Sequence, residues 1–248
     1  MILGLIPARL NSQRLPNKPL VTLEGLPIVV HVLKRAKMSK KIDKTLVCAD
    51  DKKIQEVVKN FGGDSYLTDK NLKNGTERIA SYLEGNKKLN NIKLVVDIQC
   101  DEVFLNPKDV DKLINFHLKN YHKFDVVIPH SLTNETRNLN YCKIISDNSG
   151  RVLYLTRSDA PVNFRTEKKP FKRHLDFISL KPDFLKKFKK LKNRDLEKYE
   201  GIELLRAIEN NYRVGTFKID QDIFSINTKD ELEIAKILMK SDKIKKKY

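Results

Sequence analysis

The chain has 248 residues, 40% of them hydrophobic, and carries 49 lysines and arginines against 32 acidic residues, a formal charge of +17. That apolar content excludes a disordered chain, and no apolar run reaches the roughly 18 residues that a membrane-spanning helix needs. The positive excess, with a pI near 9.6, points to a polyanionic partner: nucleic acid, an anionic membrane or a phosphorylated small molecule.

Residues 1–7, Met-Ile-Leu-Gly-Leu-Ile-Pro, lack a basic start and a small-residue cleavage site. They read as a buried strand of a soluble, cytoplasmic protein. From there short β-rich runs alternate with amphipathic stretches of helical length, the pattern of an α/β fold. Strands are predicted at 2–6, 45–49, 65–68, 94–99, 125–129, 142–146 and 151–156, then near 174–180, 212–218 and 223–226. The runs 2–6, 45–49 and 94–99 are almost continuously apolar, as parallel strands covered on both faces tend to be.

Helices are predicted at 27–39, 52–60, 77–86, 107–121, 197–210 and 229–240. In the fourth, Val110, Leu113, Ile114, Leu118 and Tyr121 share one face at helical spacing. In the last, Thr228 and Glu231 have the spacing of a capping box. Between 131 and 173 the alternation gives way to polar turns and β-like runs, an excursion expected to serve dimerisation or to cover a substrate. No repeat or low-complexity linker divides the chain, so 1–248 reads as one domain.

Cys48, Cys100 and Cys142 are too few and too scattered for a disulfide framework or a zinc site. His31 and His117 read as packing residues, and His122 and His130 as loop residues. None has metal-ligand spacing.

Chemistry concentrates in the segment after the first strand, Pro7-Ala8-Arg9-Leu10-Asn11-Ser12-Gln13-Arg14-Leu15-Pro16-Asn17-Lys18-Pro19-Leu20. In an open parallel sheet, ligands bind beyond the carboxyl ends of the strands, which is where this loop lies. Arg9, Arg14 and Lys18 supply three cations and Ser12 a hydroxyl, on a backbone stiffened by prolines. Guanidinium groups match phosphate oxygens bidentately. Neither a Walker lysine motif nor a dinucleotide fingerprint is present, so phosphate would be held by side chains as well as by backbone.

The order Pro-Ala-Arg-x-x-Ser-x-Arg-Leu-Pro-x-Lys-Pro-Leu resembles the cytidylyltransferases that activate acidic sugars, most closely the 3-deoxy-manno-octulosonate (Kdo) cytidylyltransferase family. The likeness continues through Gly25-Leu26-Pro27 and the helix after it, Ala49-Asp50-Asp51, Asn74-Gly75-Thr76-Glu77-Arg78, Gln99-x-Asp101-Glu102, Leu153-Tyr154-x-x-Arg157, Arg173-His174-Leu175 and Asn227-Thr228-x-Asp230-Glu231-Leu232. It implies a mostly parallel, Rossmann-like sheet flanked by helices, of the nucleotide-diphospho-sugar transferase type, with a small β-containing excursion.

The reaction it implies is attack of a sugar's anomeric hydroxyl on the α-phosphate of CTP, releasing pyrophosphate, with Mg²⁺ as cofactor and a homodimer as the working form. Arg14, Lys18 and Asp101 are then the catalytic candidates. Ala8, Arg9, Ser12, Arg14, Lys18, Gly75, Thr76 and Arg78 are the nucleotide contacts, with a helix cap as the other role open to Thr76. Gln99, Arg157 and His174 are the candidates for the acidic acceptor sugar. Asp101, at the end of an apolar strand, is the expected principal metal ligand, with Glu102 at the surface or behind it.

Departures from the resemblance cluster on the acceptor side. Asn227 stands where a second metal-binding aspartate is usual; its amide oxygen can join Asp101 on Mg²⁺ but brings no charge, so either a single carboxylate suffices, or Asp222 or Asp97 substitutes, or activity is low. Cys100 and Val103 replace glycine and proline, Asp176, Phe177, Ile178, Ser179 and Leu180 follow where glycine and aromatic residues are usual after the histidine, and Leu204 replaces a glutamine. The alternatives are therefore transfer to another acidic sugar, an amino-Kdo or a nonulosonic acid, or a catalytically weak nucleotide-binding relative. A nucleic-acid partner is disfavoured, since no recognised RNA- or DNA-binding module is visible, and no membrane partner is expected.

Overall fold

The first strand, β1 (Ile2–Ala8), is buried from Leu3 onward and sits between two parallel neighbours, which is why its sequence is apolar on both faces. The structure, a computed structural model, describes every residue except 13, 87, 88, 90, 163, 166, 168, 193, 194 and 221–223. After a 3₁₀ turn at Lys18–Leu20 comes a small hairpin of β2 (Thr22–Leu23) and β3 (Leu26–Pro27). Its two-residue turn puts Glu24 and Gly25 at φ 45° and 87°, the left-handed pair that a tight hairpin demands.

The chain continues through α1 (Ile28–Lys37), β4 (Lys44–Ala49), α2 (Lys52–Asn60), β5 (Asp64–Leu67), α3 (Gly75–Gly85), β6 (Leu94–Ile98) and α4 (Pro107–Lys119). Strands β5, β4, β1 and β6 pair in that order, all parallel, with Leu5 opposite Leu46 on one side and Asp97 on the other.

The second half is built differently. It comprises β7 (Val126–Thr133), β8 (Lys143–Ser146), β9 (Val152–Thr156), β10 (Phe171–His174), β11 (Phe177–Leu180), α5 (Pro182–Phe188), α6 (Asp195–Glu200), α7 (Leu205–Glu209), β12 (Val214–Lys218) and α8 (Lys229–Lys240). Strand β11 runs antiparallel between β6 and β7, β10 joins β7 to the β8–β9 hairpin, and β12 lies parallel on the other edge of β7. A bridge from Arg151 to Gly215 brings the hairpin back against β12. The sheet is thus mostly parallel with an antiparallel insertion.

Apolar side chains cover both faces. Val30, Leu33, Leu113 and Met239 belong to one cluster, and Leu3, Ile79, Phe184 and Phe188 to the other. Each such side chain, fully buried, contributes about 1.5–3 kcal/mol relative to leaving it in water.

Several expectations are corrected. The helix foreseen at 197–210 is two helices, because Gly201 turns to φ 63° after α6. The run 174–180 breaks into β10 and β11 at Leu175 and Asp176. His130 is not in a loop but is buried in β7, its Nδ1 2.8 Å from the Thr216 hydroxyl. Residues 224–226 form no strand, while Ile223 and Asp222 lie outside the described residues. Sequence reasoning missed α5, β10 and the β2–β3 hairpin. The capping box at Thr228 and Glu231 is present.

Candidate active site

The loop after β1 is fixed from below by Asp50, at the end of β4. Its carboxylate accepts from the Leu10 amide at 3.0 Å, and its own amide donates to the Ala8 carbonyl at 3.2 Å. Leu15 is buried and anchors the far limb. This tethering carries Arg14 and Lys18 over the ends of β1 and β6. The Lys18 ammonium lies 2.5 Å from Asp101 Oδ2 and 3.2 Å from Asn227 Oδ1, and the Arg14 guanidinium donates to the same Asn227 oxygen at 3.1 Å.

Asn227 is far away in sequence, and two contacts bring it there. The Ile226 amide donates to the Asp101 carbonyl at 3.2 Å, and the Asn227 amide donates to Glu231 Oε2 at 2.7 Å as part of the α8 cap.

Beside this point is a hollow of about 190 Å³ lined by Pro7, Ala8, Arg9, Gly75, Arg78 and Gln99. A Cβ on Gly75 would stand 3.2 Å from both Gln99 Nε2 and Pro7 Cγ, so a side chain there requires those neighbours to give by a few tenths of an ångström. Arg78 is buried and donates to the Thr68 hydroxyl and the Asp69 carbonyl, and burial lowers its pKa. Thr76 does not cap α3, which Asn74 does by accepting from the Glu77 amide at 2.8 Å. The Thr76 hydroxyl instead donates to Glu203 Oε1 at 2.7 Å. Ser12 is half-buried in the loop, where its amide donates to the Leu10 carbonyl.

The hollow meets a larger cleft of about 620 Å³ at Asn74 and Gln99. Arg14, Asp101 and Asn227 form one side of this cleft. The other side comes from the antiparallel half: Asn140 and Tyr141 ahead of β8, and Arg173, His174 and Asp176 around the break between β10 and β11. Arg157 also lines it, but its guanidinium is engaged, donating from Nε to the Glu200 carbonyl at 2.8 Å and from Nη1 to the Leu139 carbonyl at 2.9 Å. It therefore fastens the 138–140 loop to α6. His174 Nδ1 lies 3.1 Å from Asp176 Oδ1, and the Arg173 guanidinium stacks 3.7 Å from the centroid of Tyr141.

Carboxylates beneath the cleft are strongly perturbed. Asp97 is 1% exposed, and burial together with the charges of Glu203, Asp176 and Asp101 pushes its pKa well above the carboxylate range. Its Oδ1 accepts from Gln99 Nε2 at 3.1 Å, which orients that amide. Glu203 is raised to about 7, chiefly by burial. Glu102 is not at the surface: it is buried, raised by desolvation, and bonded to the Ser225 hydroxyl. Asp176, whose side chain is half exposed, is held below the usual carboxylate range by the His174 hydrogen bond and the Arg173 and Arg157 charges.

Sequence reasoning missed Asn140, Tyr141, Asp50 and Glu203 as parts of this region. Only Asp50 left a signal, in the run Ala49-Asp50-Asp51 at a strand end.

Asp101 and Asn227 present hard oxygens that converge on one cation, here the Lys18 ammonium. That donor set suits Mg²⁺. Among the described residues no group of three or more His, Cys, Asp or Glu could hold a metal ion alone, so a metal here would complete its shell with phosphate oxygens and water.

A family profile described as cytidylyltransferase matches residues 3–221. A 3-deoxy-manno-octulosonate cytidylyltransferase of Leptospira biflexa is 33% identical over 236 residues, covering 94% of each chain. One from Fusobacterium nucleatum is 33% identical over 245 residues, covering 98% of each. Among solved structures, a CMP:2-keto-3-deoxy-manno-octonic acid synthetase complexed with CTP superposes with a TM-score of 0.90 at 25% identity, over 96% of this chain and 98% of that one. A cytidylyltransferase from Leptospira borgpetersenii shares the fold at a TM-score of 0.63 and 17% identity, over 97% and 87% of the two chains.

Proposed function

The chain belongs to the cytidylyltransferase family, and from that premise we propose that it transfers CMP from CTP to the anomeric hydroxyl of a 3-deoxy ulosonic acid, Kdo, releasing pyrophosphate for lipopolysaccharide or capsule precursor synthesis. One observation carries the reading. Arg14, Lys18, Asp101 and Asn227 meet at the edge of a single cleft whose opposite wall holds Arg157, Arg173 and His174. Arg14 and Lys18 offer cations to a triphosphate, and Arg173 offers one to a sugar carboxylate. The relatives named for Kdo transfer and the structural neighbour complexed with CTP support the same pair of substrates.

Such a displacement is accelerated by alignment and charge neutralisation more than by covalent help. Arg14 and Lys18 bind and neutralise the phosphates, and Lys18 is placed to stabilise charge at the α-phosphate. Ala8, Arg9, Gly75 and Arg78 line the nucleotide hollow, Arg9 and Arg78 by charge and Ala8 and Gly75 by close packing, while Ser12 and Thr76 lie outside its lining. Gln99, held by Asp97, orients the acceptor. Asp101 and Asn227 would hold Mg²⁺, which would supply positive charge to neutralise the phosphates.

The reading includes a single cytidylyltransferase domain whose 131–173 segment covers the acceptor, a cytoplasmic location, and a homodimer. Exposed Leu139, Val162 and Phe164 provide apolar area for pairing. Among the described residues no helix is long and apolar enough to cross a membrane.

The test is CTP- and Kdo-dependent pyrophosphate release. Asp101→Asn and Arg14→Ala abolish it, and retained turnover in both variants sinks the assignment. A second reading, transfer to an amino-Kdo or a nonulosonic acid, is favoured by Ile178 and Leu204. They line the cleft with apolar surface that gives acceptor hydroxyls no hydrogen-bond partner. A sugar panel at fixed CTP separates the two.

A further inference from the structure

His174 ends β10, and Asp176 occupies the break before β11. The break is pinned on three sides: the His174 amide donates to the Cys142 carbonyl at 2.9 Å, the Leu175 amide to the Pro129 carbonyl at 3.1 Å, and the Gln99 amide to the Asp176 carbonyl at 3.2 Å. Both side chains line the cleft. The ring meets Asp176 through Nδ1 at 3.1 Å. An ionised carboxylate only accepts, so Nδ1 carries the hydrogen of that bond, and in the neutral ring Nε2 keeps its lone pair. A carboxylate that fixes an imidazole in this tautomer is the arrangement of a His-Asp general base.

Among the described residues the rest of the cleft contains no better proton acceptor. Asp101 is engaged by Lys18, and the Asn227 amide is not basic. Asp97 and Glu102, from β6 and the loop after it, are buried and held toward their neutral forms. Arg173 on β10 and Arg157 at the end of β9 are cations, and Cys142 across from them is pushed up to about 12, largely by burial. Glu203, from the α6–α7 linker, is bonded to Thr76. Among the described residues His174 is the one histidine lining the cleft.

We propose that His174 is the general base of the transfer, with Asp176 as the positioning residue that sets its tautomer. Nε2 takes the proton of the anomeric hydroxyl while that oxygen forms its bond to the α-phosphorus. The bond from the α-phosphorus to the bridging oxygen breaks, and pyrophosphate leaves with the electron pair. The proposal rests on the functional reading above and adds to it a base and the residue that orients it.

The experiment is the pH dependence of kcat and of kcat/KM, with CTP and Kdo, for the native protein, His174→Gln and Asp176→Asn. CTP binding by calorimetry verifies that each variant is folded. A general base gives the native profile an acid limb, on which the rate falls as that base is protonated. His174→Gln lowers kcat by about 10²-fold or more and loses that limb. Asp176→Asn lowers kcat by a similar order, because its amide donates to Nδ1 and drives the proton to Nε2. An acid limb that survives in His174→Gln, or variants that raise only the KM for the sugar, overturn the proposal while leaving the transferase reading intact. A folded native protein that binds CTP but forms no CMP-sugar at any pH overturns the transferase reading, and the base with it.

Discussion

The Lys18 ammonium lies 2.5 Å from Asp101 Oδ2, joining the loop after β1 to the end of β6 across 83 residues of sequence. Both side chains are mostly enclosed, at 16% and 17% exposure. The pair therefore marks where a phosphate and its counter-charge would be exchanged for a lysine and its carboxylate. Lys18→Ala removes the cation placed for the α-phosphate. We expect kcat to fall by about 10²–10³-fold, the usual loss when one preorganised transition-state donor is removed. Steady-state pyrophosphate release measures it, and a change confined to the KM for CTP would assign Lys18 to ground-state binding alone.

Asn227→Asp restores a negative charge beside Asp101. The added carboxylate is expected to lower the Mg²⁺ concentration giving half-maximal turnover, since Mg²⁺ binds carboxylates more strongly than amides. A Mg²⁺ titration at saturating CTP reads this, and an unchanged midpoint would remove Asn227 from the metal's surroundings.

Glu203 makes a prediction about pH and stability. Its carboxyl is raised from 4.5 to about 7 in the folded chain, chiefly by burial. The folded state thus holds this proton to higher pH than the unfolded state does, and stability falls as pH rises from about 4.5 to about 7, then levels off. Glu203→Gln removes that loss. Its Tm should exceed the native value at pH 8 by roughly 2–4 °C for each kcal/mol recovered, and the difference should vanish near pH 4. Thermal unfolding at the two pH values checks the sign.

Arg206 is 3% exposed and forms a bidentate pair with Glu197 at 2.6 and 2.7 Å, with Glu77 at 3.3 Å. Arg206→Ala leaves two carboxylates buried without their cation. A loss of about 3–5 kcal/mol is expected, as for other broken buried ion pairs. Urea denaturation measures it, and the double variant Arg206→Met with Glu197→Gln should lose less than Arg206→Ala.

What the sequence made legible follows the range of the interactions involved. The parallel half was readable because β1, β4 and β6 are covered on both faces and so are almost continuously apolar. Arg14 and Lys18 stood out because a stiff cationic loop after the first strand has few other uses, and Asp101 because a carboxylate ending an apolar strand needs a reason. The antiparallel half left weaker signals. Nothing local tells Asn140 that it will reach Arg14, 126 residues away. The hydroxyl of Thr76 was open to a helix cap or a ligand, and Glu203 claims it across 127 residues. Arg157 was chosen for its charge, which folding directs mainly to main-chain carbonyls. In each case a distant partner decides the role of a residue whose type had been read correctly.

The two sides of the cleft come from separate stretches of chain, the triphosphate side mainly from the β1 loop and the α8 entry, the acceptor side from residues 139–178 and the α6–α7 linker. A chimaera could therefore receive the second stretch from a related transferase while keeping the first, and acquire a new acceptor without renegotiating its nucleotide. Diversification by drift has the same freedom: substitutions at 178 and 204 can explore sugars while the cations at 14 and 18 stay in place.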